Sequence, residues 1–367
     1  MSGLAGALRR FFSRDDAGVS VPAMDGVLKP NNRLEAAERL WRLEEIDSLA
    51  ACGRSLLAAG GRQLHRIALD EGAFEPVPLA TFEASITCLA ADAEGHLALG
   101  LESGGIRLGG PADLQPCSLP PELGACLTAA AFLPDGRLLF CVGSRRHGAA
   151  AWRRDLMERG SSGCLVAFDP ADGSHRLLAE DLAFPYGVVP LADGRIAVAE
   201  SWRHRIVALP AEGAGPREVL LDDLPAYPAR LAPAADGGVW MALFAPRRQL
   251  FELLLREDDY RREMMATIDP EDWVGPALRA ARGQVHPLQQ GSVRQMGILK
   301  PWAPSASYGL AVRCDAAFRP LESWHSRADG TMHGITAVCA AEGGVYAAAR
   351  GPGTLLRLDA AGREGRP

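Results

Sequence analysis

The stretch Val188–Leu209, VVPLADGRIAVAESWRHRIVAL, decides the fold. Two short apolar runs, Val188–Leu191 and Ile196–Ala199, flank the pair Asp193-Gly194, and a third run, Arg205–Leu209, follows a basic turn. An Asp-Gly pair favours a tight hairpin because its glycine adopts positive φ without steric cost. Side chains alternate along a strand with period two, and small residues such as Ala197 and Ala199 allow sheets to pack closely. The run therefore predicts three consecutive antiparallel strands.

The same plan recurs along the chain. It is found in SLAACGRSLLAAGGRQLHRI from Ser48, CLAADAEGHLALGLESGGIRL from Cys88 and AAFLPDGRLLFCVGS from Ala130. It returns in LAPAADGGVWMALFAPRRQLFEL from Leu231 and AVCAAEGGVYAAARGPGTLLRL from Ala337. The residues just ahead of each first strand are Asp47, Thr87, Thr128, Tyr186, Arg230 and Thr336, at steps of 40, 41, 58, 44 and 106. A period near 40 with three or four strands per unit is the mark of a β-propeller. Two long steps are accounted for by insertions, one at about 144–162 (SRRHGAAAWRRDLMERGSS) and one at about 245–305. The second is helical by pattern, notably in FELLLREDDYRREMMATI. The chain is thus expected to be all-β: a six-bladed β-propeller over residues 41–362 with a helix-containing insertion late in the chain. Residues 1–40 are expected to form an N-terminal arm (VPAMDGVLKPNNRL) and a short amphipathic helix (LEAAERLWRLEEI). Ring closure is expected from a strand at one terminus completing the blade of the other. Two stacked sandwich domains would make the even period an accident.

Composition sets the outer bounds. The 367 residues carry 39 Lys+Arg against 45 Asp+Glu, a net charge of −6, with 48% hydrophobic and 23% charged residues. That is ordinary globular composition, and without basic blocks nucleic acid is not an expected partner. No uncharged run approaches the roughly 18 residues of a membrane span. At the N-terminus the apolar residues precede Arg9-Arg10, the reverse of a secretory signal, and no apolar stretch follows the twin-arginine-like Arg9–Phe12. The eight cysteines are scattered in apolar contexts without a Cys-x-x-Cys pair. Buried free thiols in a reducing, cytoplasmic setting are expected.

From Gly163 to Ala242 the sequence resembles the strictosidine synthase-like family, within the six-bladed group that includes gluconolactonases, senescence marker protein and paraoxonases. The resemblance is carried by Phe184-Pro185-Tyr186-Gly187, Val198-Ala199-Glu200-Ser201 and Leu224-Pro225-Ala226-Tyr227-Pro228. It extends to the closing repeat from His333 and the opening repeat from Glu44. It implies a propeller whose chemistry lies on the axis. Metal-dependent relatives hold a calcium there, through an acid in blade one and amide or acidic residues at two further inner-strand starts. The matching positions here are Asp47, Tyr186 and Ala229-Arg230, so no cofactor, and in particular no catalytic calcium, is expected. The glutamate that strictosidine synthase uses in its last blade is matched by Thr336. A threonine is no general base near neutral pH, so strictosidine formation is not expected.

The expected axial set follows from these positions. His333, Asp47 and Tyr186 are the candidate catalytic residues: His333 as acid or base, Asp47 orienting it, Tyr186 donating a hydrogen bond. Arg230, Thr87, Thr128 and Thr336 are the candidate substrate-binding residues, with Arg230 suited to a carboxylate or oxyanion. The leading expectation is a metal-independent hydrolase of a small, possibly anionic lactone or ester. The alternatives are a non-catalytic small-molecule-binding propeller and a C–N bond-forming or lyase enzyme. A structural reading also stands: Asp47 and Arg230 as an ion pair plugging the channel in the metal's place. The basic first insertion (Arg145, Arg146, His147, Arg153, Arg154) is expected either to form a lid favouring anions or to lie solvated. The apolar face of the second insertion is expected to cap the propeller or to support a homodimer.

Overall fold

A computed structural model describes residues 21–69, 74–213, 215–279 and 306–358, together with two short paired segments at 294–295 and 298–299. The stretch read for an export signal and most of the segment at 280–305 lie outside the described residues. Six four-stranded antiparallel sheets follow one another around a ring. Their inner strands are Ile46–Cys52, Ile86–Ala91, Leu127–Phe132, Pro185–Pro190, Ala226–Pro233 and Ile335–Ala341, taken as blades one to six. The expected Asp-Gly hairpins sit between the first and second strands of blades three, four and five, with Gly136, Gly194 and Gly237 all at positive φ.

Closure is by exchange of a strand between the termini. The outer strand of blade six is Glu38–Arg42, paired antiparallel to Thr354–Leu358. The spacing of apolar residues predicts helix through this segment, yet only Arg33–Ala36 is helical and Glu38–Arg42 is strand. Tertiary pairing overrides the local 3.6-residue pattern because the free edge of blade six offers unpaired backbone groups. The arm ahead of it runs against the outer strand of blade five, where Ser323 Oγ donates to the Val27 carbonyl (2.6 Å) and Arg33 lies over the Trp324 ring.

Core packing repeats once per blade interface. Six apolar clusters each draw from two adjacent blades, for example Ala50 and Leu57 with Leu89 and Leu97, or Ala129 and Leu139 with Val188 and Val198. Small residues on the inner strands permit this close approach. At Gly187 an added Cβ would lie 2.3 Å from the Ala229 carbonyl of the next blade, which explains the glycine of Phe-Pro-Tyr-Gly.

A seventh cluster joins the two insertions. Met157 from the first packs with Phe251, Leu254, Met264, Trp273 and Val274 from the second. Arg153 donates to the carbonyls of Trp273 (2.8 Å) and Glu271 (3.2 Å). The helices of the second insertion, Gln249–Arg256 and Asp258–Thr267, therefore turn Leu254 and Met264 inward onto the first insertion. Among the described residues no helix is long and apolar enough to cross a membrane.

Candidate functional site

Each inner strand carries an irregularity at its start. Register slips between Ile46 and Ser48, Ile86 and Cys88, Leu127 and Ala129, Pro185 and Gly187, Pro228 and Leu231, and Ile335 and Ala337. The residues so displaced include Asp47, Thr87, Thr128, Tyr186, Arg230 and Thr336. A bulge leaves its extra residue out of the ladder and re-aims it, here at one end of the axis.

Arg230 occupies that end. Its Nη2 donates to Asp47 Oδ2 (2.6 Å) and the Thr87 carbonyl (2.7 Å), and its Nη1 to the Asp47 carbonyl (2.8 Å) and more weakly to that of Thr336 (3.4 Å). Its guanidinium lies 5.0 Å from the Tyr186 ring centre. Arg350 pairs with the second Asp47 oxygen at 2.8 Å, and the Tyr186 hydroxyl approaches the same oxygen at 3.5 Å. Burial alone would raise the Asp47 pKa; the adjacent Arg230 and Arg350 charges overcome it and hold the carboxyl below its ordinary value. Burial, and then the Asp47 charge, push the Tyr186 phenol up, so it stays protonated and can donate.

A cavity of about 260 Å³ opens above this network. Its floor is Asp47, Thr87, Thr128, Arg230 and Arg350, with Glu45 and Glu102 also lining it. Its wall is aromatic: Phe184 stacks on Trp202 at 4.3 Å, Tyr186 and Phe244 stand edge-on to that pair, and Trp152 lies tilted beside Trp202 and edge-on to Phe244. Ala149, Ala150 and Trp152 of the first insertion and Leu278 of the second complete the cover. Buried Asp155 accepts from the Trp202 indole N–H at 2.8 Å and so ties the first insertion to the wall. On the other side of Arg230 a wider axial cavity of about 1200 Å³ opens at the opposite face, so its side chain partitions the channel.

Five of the seven expected residues, Asp47, Thr87, Thr128, Tyr186 and Arg230, line this cavity; His333 and Thr336 do not. His333 is buried in the turn before the last inner strand, away from the cavity lining. Its Nδ1 meets Ser307 Oγ at 2.7 Å and its Nε2 the Arg327 carbonyl at 2.7 Å. A carbonyl only accepts, so Nε2 carries the proton, both nitrogens are engaged, and no base is left for a substrate. Burial also pushes its pKa down. Thr336 lies beneath the cavity and donates to the Asp47 carbonyl (2.9 Å), joining blade six to blade one. Thr128 lines the cavity, yet its hydroxyl is spent on the Pro185 carbonyl (2.5 Å) of the next blade. The first insertion is a cover, but its charges face elsewhere: Arg145 pairs with Glu180, while His147 and Arg154 pair with Glu158.

Sequence reading missed Arg350, Glu45, Glu102 and the aromatic wall. Arg350 and Glu102 each directly follow the second strand of a blade, Gly344–Ala349 and Leu97–Leu101. Aligning the repeats past the first hairpin would have brought both to the same mouth.

No family model matches the chain. Among curated proteins it is 28% identical over 255 residues to the adipocyte plasma membrane-associated protein of Rattus norvegicus, covering 60% of this chain and 65% of that one. The Mus musculus protein of the same name is 27% identical over 249 residues, covering 60% and 59%. Protein strictosidine synthase-like 13 of Arabidopsis thaliana is 30% identical over 122 residues, 33% of this chain and 30% of that one. The chain thus spans about three fifths of the longer-matched relatives, 59–65% of their length. Among solved structures, a gluconolactonase from Xanthomonas campestris matches with a TM-score of 0.55 at 15% identity, covering 89% of this chain and 91% of that one. The fold and site define a six-bladed propeller with a capped axial pocket. Its homologues include the adipocyte plasma membrane-associated proteins and a strictosidine synthase-like protein, and it shares its propeller fold with a gluconolactonase.

The axial residues do not fit the calcium that the metal-dependent branch carries. A divalent ion needs the oxygens to itself, and a guanidinium stands among them.

Proposed function

We propose that the capped axial pocket binds a small, flat organic molecule that is neutral or carries a basic nitrogen. The observation that carries this reading is the five-ring aromatic wall set over a floor with three carboxylates (Glu45, Asp47, Glu102) and two guanidiniums (Arg230, Arg350), a balance of −1. Aromatic faces attract cations, and the surplus carboxylate adds to that attraction. The volume suits a compact ligand, since drug-sized pockets start at about 300 Å³. An anionic ligand, the earlier expectation, finds less support because Arg145, His147 and Arg154 of the cover pair with Glu180 and Glu158, outside the cavity lining. The test is a titration of aromatic amines and matched aromatic carboxylates against the Trp152 and Trp202 fluorescence. Saturable quenching by amines, lost in Trp202→Ala, is expected; preferential binding of the carboxylates would overturn the assignment.

One observation favours a hydrolytic use of the same pocket. Glu45 and Glu102 line the cavity together with Arg350 and the Tyr186 hydroxyl. In that reading a mouth carboxylate activates water while Arg350 and Tyr186 hold the carbonyl oxygen of an ester or lactone. It requires turnover of such substrates that falls at least tenfold in Glu102→Gln or Glu45→Gln and is untouched by the loss of His333 basicity.

A further inference from the structure

We infer that the Arg230 guanidinium is a tethered cation filling a latent divalent-cation site, and that removing it uncovers the site. Four oxygens converge on it: one carboxylate oxygen of Asp47 and the carbonyls of Asp47, Thr87 and Thr336. They come from the inner strands of blades one, two and six, each bulged at that residue. The bulge takes these carbonyls out of the strand ladder, so each needs another partner when buried. Carbonyls with a carboxylate are the donors of a hard cation. Arg230 reaches them from blade five, and Tyr186 of blade four places its ring against the same guanidinium. Five of the six blades therefore meet at one positive charge. Arg350 occupies the remaining Asp47 oxygen. In the native protein the site thus holds two guanidiniums to one carboxylate and repels a divalent ion.

The test uses the full chain. Wild-type protein is expected to show no change in melting temperature with millimolar CaCl2 or with EDTA, and no stoichiometric divalent ion after purification. Arg230→Met, which keeps bulk and loses charge, is expected to melt several degrees lower, and Arg230→Lys to recover part of the loss. Arg230→Ala with Arg350→Gln frees both Asp47 oxygens and is expected to gain saturable stabilisation by CaCl2 that Asp47→Asn abolishes. A calcium-stabilised wild type, equal stability of the Met and Lys variants, or a folded double variant indifferent to calcium would each overturn the inference. Should the double variant not fold, the Met–Lys comparison and the wild-type calcium response decide.

Discussion

Mild acid should loosen this propeller well before its carboxylates titrate, and His325 sets a measurable part of the effect. Its side chain is fully buried at the end of the blade-five outer strand. Nδ1 lies 3.1 Å from the Tyr308 hydroxyl and Nε2 3.2 Å from Ser323 Oγ, whose own proton goes to the Val27 carbonyl. The ring is therefore held neutral, accepting at Nδ1 and donating at Nε2. Burial pushes its pKa down to about 4 from an ordinary 6.5. The unfolded chain thus binds a proton through the window between those values while the folded protein does not, and stability falls as pH falls through it. Integrating the two titrations gives a loss of about 2 kcal/mol between about pH 7.5 and about pH 5 from this residue alone. His204 and His333 are shifted in the same direction by burial and add to the slope. Asp47 does not contribute in this window: its lowered pKa gives stability that is lost only in stronger acid. Urea denaturation at the two pH values measures the change directly. In His325→Gln, whose amide can serve the same two hydroxyls, the pH-dependent loss should shrink by about 2 kcal/mol whatever the variant's own baseline. An identical pH dependence in the two proteins would refute the buried, neutral assignment.

The axial network and the blade joints give further tests. Asp47→Ala strips the carboxylate from two guanidiniums, one of them buried, and should cost about 3–5 kcal/mol in denaturant titration; a loss under about 1 kcal/mol would mean the arginines find other partners. Gly187→Ala should be destabilising by about 1–3 kcal/mol because its Cβ has no room against blade five, and a neutral result would show that the inner strands can slide. Of the eight thiols, Cys88, Cys126, Cys314 and Cys339 are buried with pKa pushed up to about 12. A thiol reagent at neutral pH should therefore label only the half-exposed Cys52 and Cys117 without denaturant.

Much of the ring was legible because two short-range signals repeat with it. Asp-Gly turns fix a hairpin locally, and the spacing of its recurrences fixes the number of blades. Residues 34–46 misled for a physical reason: Leu34, Ala37 and Trp41 fall at helical spacing, while the free edge that makes Glu38–Arg42 a strand lies more than 300 residues away in sequence, at Thr354–Leu358. The axial positions were legible for a further reason. A bulge recurs at the start of every inner strand, so one alignment column became one ring of side chains. His333 lies three residues ahead of its column, and that distance is enough to turn it into the loop beside Ser307 and Arg327. The aromatic wall was hidden for the opposite reason. Trp152 lies in an insertion, Trp202 in a turn and Phe244 at a strand end, and no periodicity relates them. What gathers them is the cover itself: Asp155 holds Trp202 from the first insertion, and Arg153 holds the second insertion to the first. The repeat places the axial pocket and most of its lining, and the insertions, which break the repeat, close it with Ala149, Ala150, Trp152 and Leu278.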